Sequence, residues 1–243
     1  MTLHHRIVAP RGLSGPQHER MFALFAAHYA QVTRQGFEAD LAAKTWVILL
    51  LDDQEEIRGF STQEVYLFTN AGRDQHILFS GDTIIEPACW GSQELVRGWC
   101  TIAARLLSAA GDTPCYWFLI SKGYRTYLYL PLFFLTYYPH HQGCGMELKP
   151  LLDAVAEAKF TRAYDPISGL IRFDEAHGQL AKALTEIPSK REDDPAVSFF
   201  LKCNPDFAQG VELACLAPIT LANTHRIGRA LLTHATLHSN VTV

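Results

Sequence analysis

The stretch that decides the fold runs from His76 to Ile120: HILFSGDTII (76–85), EPACWGS (86–92), QELVRGWCTIAARLLSAA (93–110) and GDTPCYWFLI (111–120). The first and last segments are rich in aliphatic and aromatic residues and are bounded by turn-forming residues, the pattern of strands. Between them Leu95, Val96, Trp99, Ile102, Ala103, Leu106 and Leu107 recur at helical spacing. Arg97 and Arg105 fall on the opposite side, and Gly111 stands just past the end. Strand, loop, helix and strand make a crossover, which favours parallel pairing of the flanking strands. Pro87 stops the first strand, because proline brings no N–H to a ladder.

Working outward toward the N-terminus, Asn70-Ala71-Gly72 makes a turn, Ile57 and Phe60 to Phe68 form a strand, and Thr45 to Leu51 forms a deeply buried one beyond the polar cluster Asp52–Glu56. With His76–Ile85 these three strands form an antiparallel meander. Before them, Pro16 to Ala43 carries Met21, Leu24, Phe25, His28, Tyr29 and Val32 at helical spacing after the start signals Ser14 and Pro16, with a second short helix at Phe37–Lys44. A short apolar segment lies at Ile7 and Val8.

Toward the C-terminus, Tyr127–Tyr138 predicts a short buried helix broken by Pro131, and His140–Gly145 a loop. Leu151–Phe160 and Asp174–Leu184 read as helices, and Lys190–Asp194 as a solvated charged loop. Val197–Lys202 and Val211–Leu216 read as a hairpin turning at Asn204-Pro205-Asp206 and Gly210, and a final helix spans Leu221–Leu237. The predicted class is α/β of the α+β kind: a mixed, mostly antiparallel sheet flanked by helices. Residues 1–150 form the core, and 151–243 complete or cover its sheet within one unit.

Composition narrows the function. The 243 residues are 48% hydrophobic and 19% charged, enough apolar material for a large core, and 21 basic against 25 acidic residues give a net charge of -4. That balance provides no general attraction to nucleic acid or anionic lipid. The longest apolar runs, Trp46–Leu51 and Leu128–Leu135, fall far short of the ~18 to 20 residues that span a bilayer. Six cysteines without a CxxC pair, and no signal peptide ahead of Arg6, predict reduced thiols in a cytoplasmic protein.

Three segments carry polar chemistry. Ser80-Gly81-Asp82-Thr83 interrupts an apolar strand, and a carboxylate there must be hydrogen-bonded, solvent-facing or functional; the structural alternative is a bulge at Gly81 with Asp82 making a supporting hydrogen bond. Ser121, Lys122, Tyr124, Arg125 and Tyr127 follow a strand's carboxyl end, where ligand pockets are common. Lys122 and Arg125 would clamp a carboxylate or phosphate among these aromatic rings, or else decorate a turn as hydrated cations. Tyr137-Tyr138-Pro139-His140-His141 offers phenols and imidazoles, with buried, hydrogen-bonded tyrosines as the plain alternative. Neither His140, His141 and Cys144 nor His234 and His238 completes a metal ligand set, so no metal is expected. Gly-x-Ser-x-Gly, P-loop and Rossmann motifs are absent from the sequence.

The order helix, helix, three strands, loop, helix, strand, helix over residues 5–150 resembles the acyl-CoA N-acyltransferase family, with its GNAT-like fold. The resemblance implies that the segment from Ile85 to Ser92, with Cys89, Trp90 and Gly91, holds the pyrophosphate of coenzyme A on backbone N–H groups at the start of the next helix. This loop departs from the family's, which carries Gln or Arg followed by Gly-x-Gly or Gly-x-Ala; here Gly91 stands alone beside Trp90. The departure admits an acyl-phosphopantetheine on an acyl carrier protein as donor in place of acyl-CoA, or loss of cofactor binding.

The resemblance further implies Asp82, with Glu64 nearby, as proton acceptor for an attacking amine, and Tyr137 or Tyr138 as the acid that protonates the departing thiolate. Ser80, Ser121, Lys122, Tyr124, Arg125 and Tyr127 would then surround the acceptor. The function it implies is transfer of an acyl group from a pantetheine thioester to an amine or other nucleophile of a small molecule. The rival is a non-catalytic protein of the same architecture that binds a ligand or partner through the surface from Lys122 to Tyr138.

Overall fold

In the computed structural model, which describes residues 2–30, 32–173, 179–180, 187–188, 191 and 193–239, the strands in chain order are β1 (His4–Val8), β2 (Tyr29–Ala30), β3 (Trp46–Leu51), β4 (Ile57–Asn70), β5 (Arg73–Ile85), β6 (Cys115–Ser121), β7 (Tyr164–Asp165), β8 (Leu170–Ile171), β9 (Gln179–Leu180) and β10 (Glu212–Pro218). The helices are α1 (Gly15–His28), α2 (Arg34–Ala42), α3 (Glu94–Ala110), α4 (Tyr124–Tyr127), α5 (Tyr129–Phe133), α6 (Lys149–Phe160), α7 (Pro195–Cys203) and α8 (Arg226–Ser239). Eight strands form an open sheet in the order β1-β3-β4-β5-β6-β10-β8-β7, and β2 pairs with β9 apart from it. Every neighbouring pair in the large sheet is antiparallel except β5 and β6, the parallel pair joined by the α3 crossover. The mixed, mostly antiparallel sheet flanked by helices is therefore present, and residues 151–243 contribute β10, β8 and β7 to it.

Strand alternation separates the two faces. In β3, Ile48 and Leu50 belong to the core shared by α3, α7 and α8, while Val47, Leu49 and Leu51 belong to the one with Met21, Leu24, Phe37 and Leu41 of α1 and α2. On that second face a further core gathers Ile77, Phe79 and Phe118 under Leu152, Val155 and Ala156 of α6. Two helical blocks, α1/α2 and α6, thus share one face of the sheet over different strands. α1 starts where Ser14 and Gln17 form a reciprocal capping box, which satisfies two otherwise orphaned backbone donors.

The structure corrects several boundaries. Val197–Lys202 is not a strand but the body of α7. Asp194 accepts from the Ala196 N–H at 3.0 Å, Pro195 opens the helix, and Val197 and Phe200 bury one face at i, i+3 spacing. The hairpin therefore does not form, and β10 pairs instead with β6 and β8. The helix predicted over Tyr127–Tyr138 ends at Phe133 with Pro131 inside α5; Phe134 and Tyr138 then bridge to Thr224 and Leu216 in extended form. The last helix begins at Arg226 rather than Leu221, because Asn223 and Thr224 are held in a turn on Thr220 and Leu221. Of the helix predicted over Asp174–Leu184, Gln179–Leu180 is strand β9 and the remainder lies outside the described residues, as do Lys190 and Glu192 of the charged loop.

Candidate functional site

The site originates in a single extra residue. Ser61 pairs with Thr83 and Gln63 with Ser80, so Gly81 and Asp82 of β5 stand opposite Thr62 alone, a β-bulge. A Cβ on Gly81 would lie 2.6 Å from Thr62 Oγ1 and 3.0 Å from Lys44 Cε, so a larger residue there would have to displace these side chains. The bulge also shifts the alternation of β5: Phe79 faces α6, and five residues later Ile84 faces α1 and α2 on the same side of the sheet. Pairing of β5 with β6 runs from His76/Cys115 to Ser80/Leu119 and stops. Beyond it β5 stays with β4 while β6 stays with β10, and a gap opens between the parallel strands.

Two clefts meet at that gap, and both are lined by Tyr29, Thr83, Lys122 and Thr126. The first, about 460 Å³, lies between the end of β5, the residues leading into α3, and α4, α5 and α8; Ile85, Trp90, Gly91, Ser92, Tyr124 and Arg125 are among its walls. The second, about 520 Å³, lies between the α1/α2 block and α6, over Phe79, Gly81 and Asp82.

The second cleft is dense in charge. It is lined by the carboxylates Asp40, Glu64, Asp82 and Glu212 and by Lys44, Lys122 and Lys159. Lys44 pairs with Asp40 at 2.5 Å, Lys159 with Glu64 at 2.6 Å and Lys122 with Glu212 at 3.3 Å. Three pairs leave Asp82 as the odd carboxylate, and among the described residues none forms an ion pair or donates a hydrogen bond to it. Burial raises its pKa to about 7; Asp40 and Glu212 push it up, while Lys122 and Lys44 hold it down. The Tyr29 phenol is raised well above its ordinary value, by burial and then by Asp82 and Glu212, so it keeps its proton.

On the opposite face a continuous polar chain is buried against α3. Trp117 Nε1–H donates to Ser80 Oγ at 2.8 Å, Ser80 to Gln63 Oε1 at 2.6 Å, Gln63 Nε2 to Ser61 Oγ at 2.8 Å, and Ser61 shares a 2.7 Å hydrogen bond with Thr83 Oγ1. The chain is satisfied internally and ends at a hydroxyl that lines both clefts. In the first cleft the Arg125 guanidinium stacks 4.5 Å over Trp90 and 4.9 Å over Tyr124, and the Trp90 N–H donates to Ile85 O at 3.0 Å. Gly91 adopts φ +93, a left-handed conformation that favours glycine. α3 begins without a side-chain cap on Gln93, and Ser92 Oγ accepts from the Glu94 N–H at 3.3 Å.

The residues singled out in the sequence divide accordingly. Asp82, Glu64 and Lys122 gather at the second cleft, and Ile85, Trp90, Gly91, Ser92, Lys122, Tyr124 and Arg125 at the first. The others lie elsewhere. Cys89 is tucked under its loop, and Ser80 is committed to the buried chain. Ser121 points into the core, because it shares strand parity with Trp117 and Leu119. Tyr127 is fully buried and donates to Pro139 O at 3.0 Å. Tyr137 is likewise buried, with its hydroxyl 2.9 Å from His141 Nδ1, and Tyr138 bridges to β10. Neither tyrosine lines the clefts, so neither reaches a sulfur leaving group in them.

Sequence reading missed Tyr29, Asp40, Lys44, Lys159 and Glu212. Glu212 carried a usable signal, a carboxylate inside an otherwise apolar strand; the others sit on unremarkable amphipathic helices or at their ends. Among the described residues no group of three or more His, Cys, Asp or Glu is placed to hold a metal ion, and no helix is long and apolar enough to cross a membrane.

No protein-family model matches the chain, and no curated protein matches it. Among solved structures, it is similar to a conserved protein of unknown function from Enterococcus faecalis V583, described as a probable N-acyltransferase: 14% identity, TM-score 0.43, covering 56% of this chain and 33% of that one. It is also similar to the GNAT family N-acetyltransferase YhbS from Escherichia coli in complex with CoA, at 12% identity and TM-score 0.34, over 50% of this chain and 65% of that one. A third is an aminoglycoside acetyltransferase from an uncultured soil metagenomic sample in complex with sisomicin, at 15% identity and TM-score 0.34, over 48% and 76%. The likeness to N-acetyltransferases is one of fold, extends over about half of this chain, and spans a third of the first of these structures.

Proposed function

We propose that this protein transfers an acyl group from a pantetheine thioester to an amine of a small molecule. The observation that carries the reading is the meeting of two chemically unlike clefts at the β5/β6 gap, with one unpaired carboxylate beside it. The first cleft fits a pantetheine arm: its walls are mostly apolar, and the edge of β5 facing the gap has no strand partner among the described residues to occupy its backbone groups. Arg125 and the backbone N–H groups at the start of α3 that Ser92 leaves open would hold the phosphate end, with only Gly91 to bring the backbone close.

A thioester supplies an activated acyl carbon and a sulfur leaving group. Asp82 takes a proton from the attacking nitrogen as the new C–N bond forms and the C–S bond breaks. With a pKa of about 7, the protonated carboxyl is then acidic enough to return a proton to sulfur, whose thiol pKa is about 8.5. Tyr29 holds its own proton too tightly to give it away and serves as a hydrogen-bond donor. Lys122, fixed by Glu212, and Thr83, fixed by the buried chain, orient groups where the clefts join.

Calorimetric titration with acetyl-CoA, longer acyl-CoA and carrier-bound acyl-phosphopantetheine tests this reading, followed by assay of thiol release with an amine present. Heat from at least one donor and amine-dependent thiol release are expected. No heat from any thioester overturns the reading and favours a non-catalytic ligand-binding protein, which the lone glycine of the Trp90-Gly91-Ser92 segment would suit.

A further inference from the structure

We infer that the second cleft selects a monoamine with an aromatic or otherwise apolar body and discriminates against polyamines. The assignment of this cleft to an acceptor rests on the acyl-transfer reading; the selectivity rests on the cleft's charges and walls. Among the described residues, each lysine lining the cleft already has its carboxylate, and Asp82 is the lining carboxylate left to receive a ligand ammonium. A second ligand ammonium would have to displace a lysine from its partner, and two of those pairs are largely withdrawn from water: the side chains are 12% and 9% exposed in Lys122–Glu212, and 21% and 22% in Lys159–Glu64.

The aromatic surfaces follow the same logic. Phe79, on the floor, already has Lys159 Nζ at 4.4 Å and Lys44 Nζ at 5.4 Å from its ring centre, and Tyr29 has Lys122 Nζ at 4.6 Å. These faces are taken by the protein's own ammonium groups, which would repel further cations. Partly exposed Phe25 and Phe160, on α1 and α6, also line the cleft with apolar surface. A cavity of about 520 Å³ is far larger than a bare aminoalkyl group needs, so a small hydrophilic amine would leave its rings unused.

The test titrates the unmodified protein at pH 8 with 2-phenylethylamine, tryptamine, ethanolamine and spermidine, without any thioester. The two arylalkylamines are expected to bind about tenfold or more tighter than ethanolamine and spermidine, from burial of the ring against apolar walls. In Asp82→Asn all amines should weaken, and in Phe160→Ala only the arylalkylamines. Spermidine binding as tightly as tryptamine, arylalkylamine affinity unchanged in Asp82→Asn, or no binding of any amine overturns the inference. The acyl-transfer reading fails separately: arylalkylamine binding as expected, with no thioester bound or consumed, leaves the cleft's selectivity standing. Thiol release driven best by spermidine would sink the selectivity and leave acyl transfer intact.

Discussion

The two clefts face each other across one strand yet use charge in opposite ways. The first relies on a single guanidinium stacked over a tryptophan that is itself 43% exposed, within apolar walls. The second gathers, among the described residues, seven charged side chains around aromatic rings and pairs all but one. Adjacent residues of β5 mark the boundary: Asp82 lines only the second, while Thr83, anchored from the α3 side, touches both. One inserted residue in a strand thus separates a sparsely charged, mostly apolar cleft from a charge-dense one, the division on which the proposed function rests.

The sharpest way to break this contrast is Asp82→Asn, which removes the one carboxylate without an ion pair among the described residues lining the second cleft. Turnover should fall by about a hundredfold to ten-thousandfold, with thioester affinity preserved. In the unmodified protein the rate should rise with pH through about 7 as Asp82 ionises, and the variant should lose that limb. Stability runs the other way. A carboxyl raised from 3.8 to about 7 holds its proton in the folded state after the unfolded chain has released it, so stability declines between these values and stays lower above them. Asp82→Asn should therefore be more stable than the parent protein at pH 8, by roughly 1–2 kcal/mol once solvent screening is allowed for, with a correspondingly higher melting temperature, and no more stable at pH 4. A lower melting temperature at pH 8 would assign Asp82 a structural role instead.

Gly81→Val attacks the bulge itself. The added carbon meets Thr62 Oγ1 at 2.6 Å and Lys44 Cε at 3.0 Å, so those side chains or the strand must give way, at a cost of about 1–3 kcal/mol in chemical denaturation and with loss of turnover in the molecules that remain folded. Normal turnover in a folded variant would show that the bulge does not position the site. Arg125 offers a smaller effect confined to the first cleft. Arg125→Lys and Arg125→Ala should both weaken thioester binding by roughly three- to tenfold, because stacking on Trp90 requires the planar group, and acceptor KM should stay constant. A change in acceptor KM with donor affinity intact would move Arg125 to the other side of the gap. Smallest of all, Tyr137→Phe should leave kcat within about twofold while costing about 1 kcal/mol for the lost hydrogen bond to His141.

The meander, the α3 crossover and the parallel β5/β6 pair were legible because each repeats a simple period over many residues. The six-residue run from Val197 to Lys202 was not, since a short apolar segment satisfies strand and helix patterns equally and its cap at Asp194 lay inside a charged run. At the site, Asp82 was visible as a carboxylate in an apolar strand, and a bulge at Gly81 with Asp82 in a supporting hydrogen bond was the structural alternative; the bulge is present, and among the described residues Asp82 has no such bond. What sequence could not supply was pairing across distance: Glu212 with Lys122, ninety residues apart, and Lys159 with Glu64, ninety-five apart. Tyr137 and Tyr138 stood as candidate acids through the family resemblance alone, whereas in space Tyr137 is buried in the core and Tyr138 bridges to β10.

The place of β10 has a consequence for how the molecule is made. Its seven residues enter between β6 and β8, so the middle of the sheet is completed by a segment synthesised more than ninety residues after the strand it joins. During translation β6 can join β5 on one side while its other edge, running along CYWFLIS, waits bare for residues 212–218 to leave the ribosome. Closing so long a loop is entropically slow, and an unpaired apolar edge during that interval invites pairing with another nascent chain. Glu212 rides at the head of that late strand, so the partner of Lys122 arrives only when the vulnerable edge is sealed.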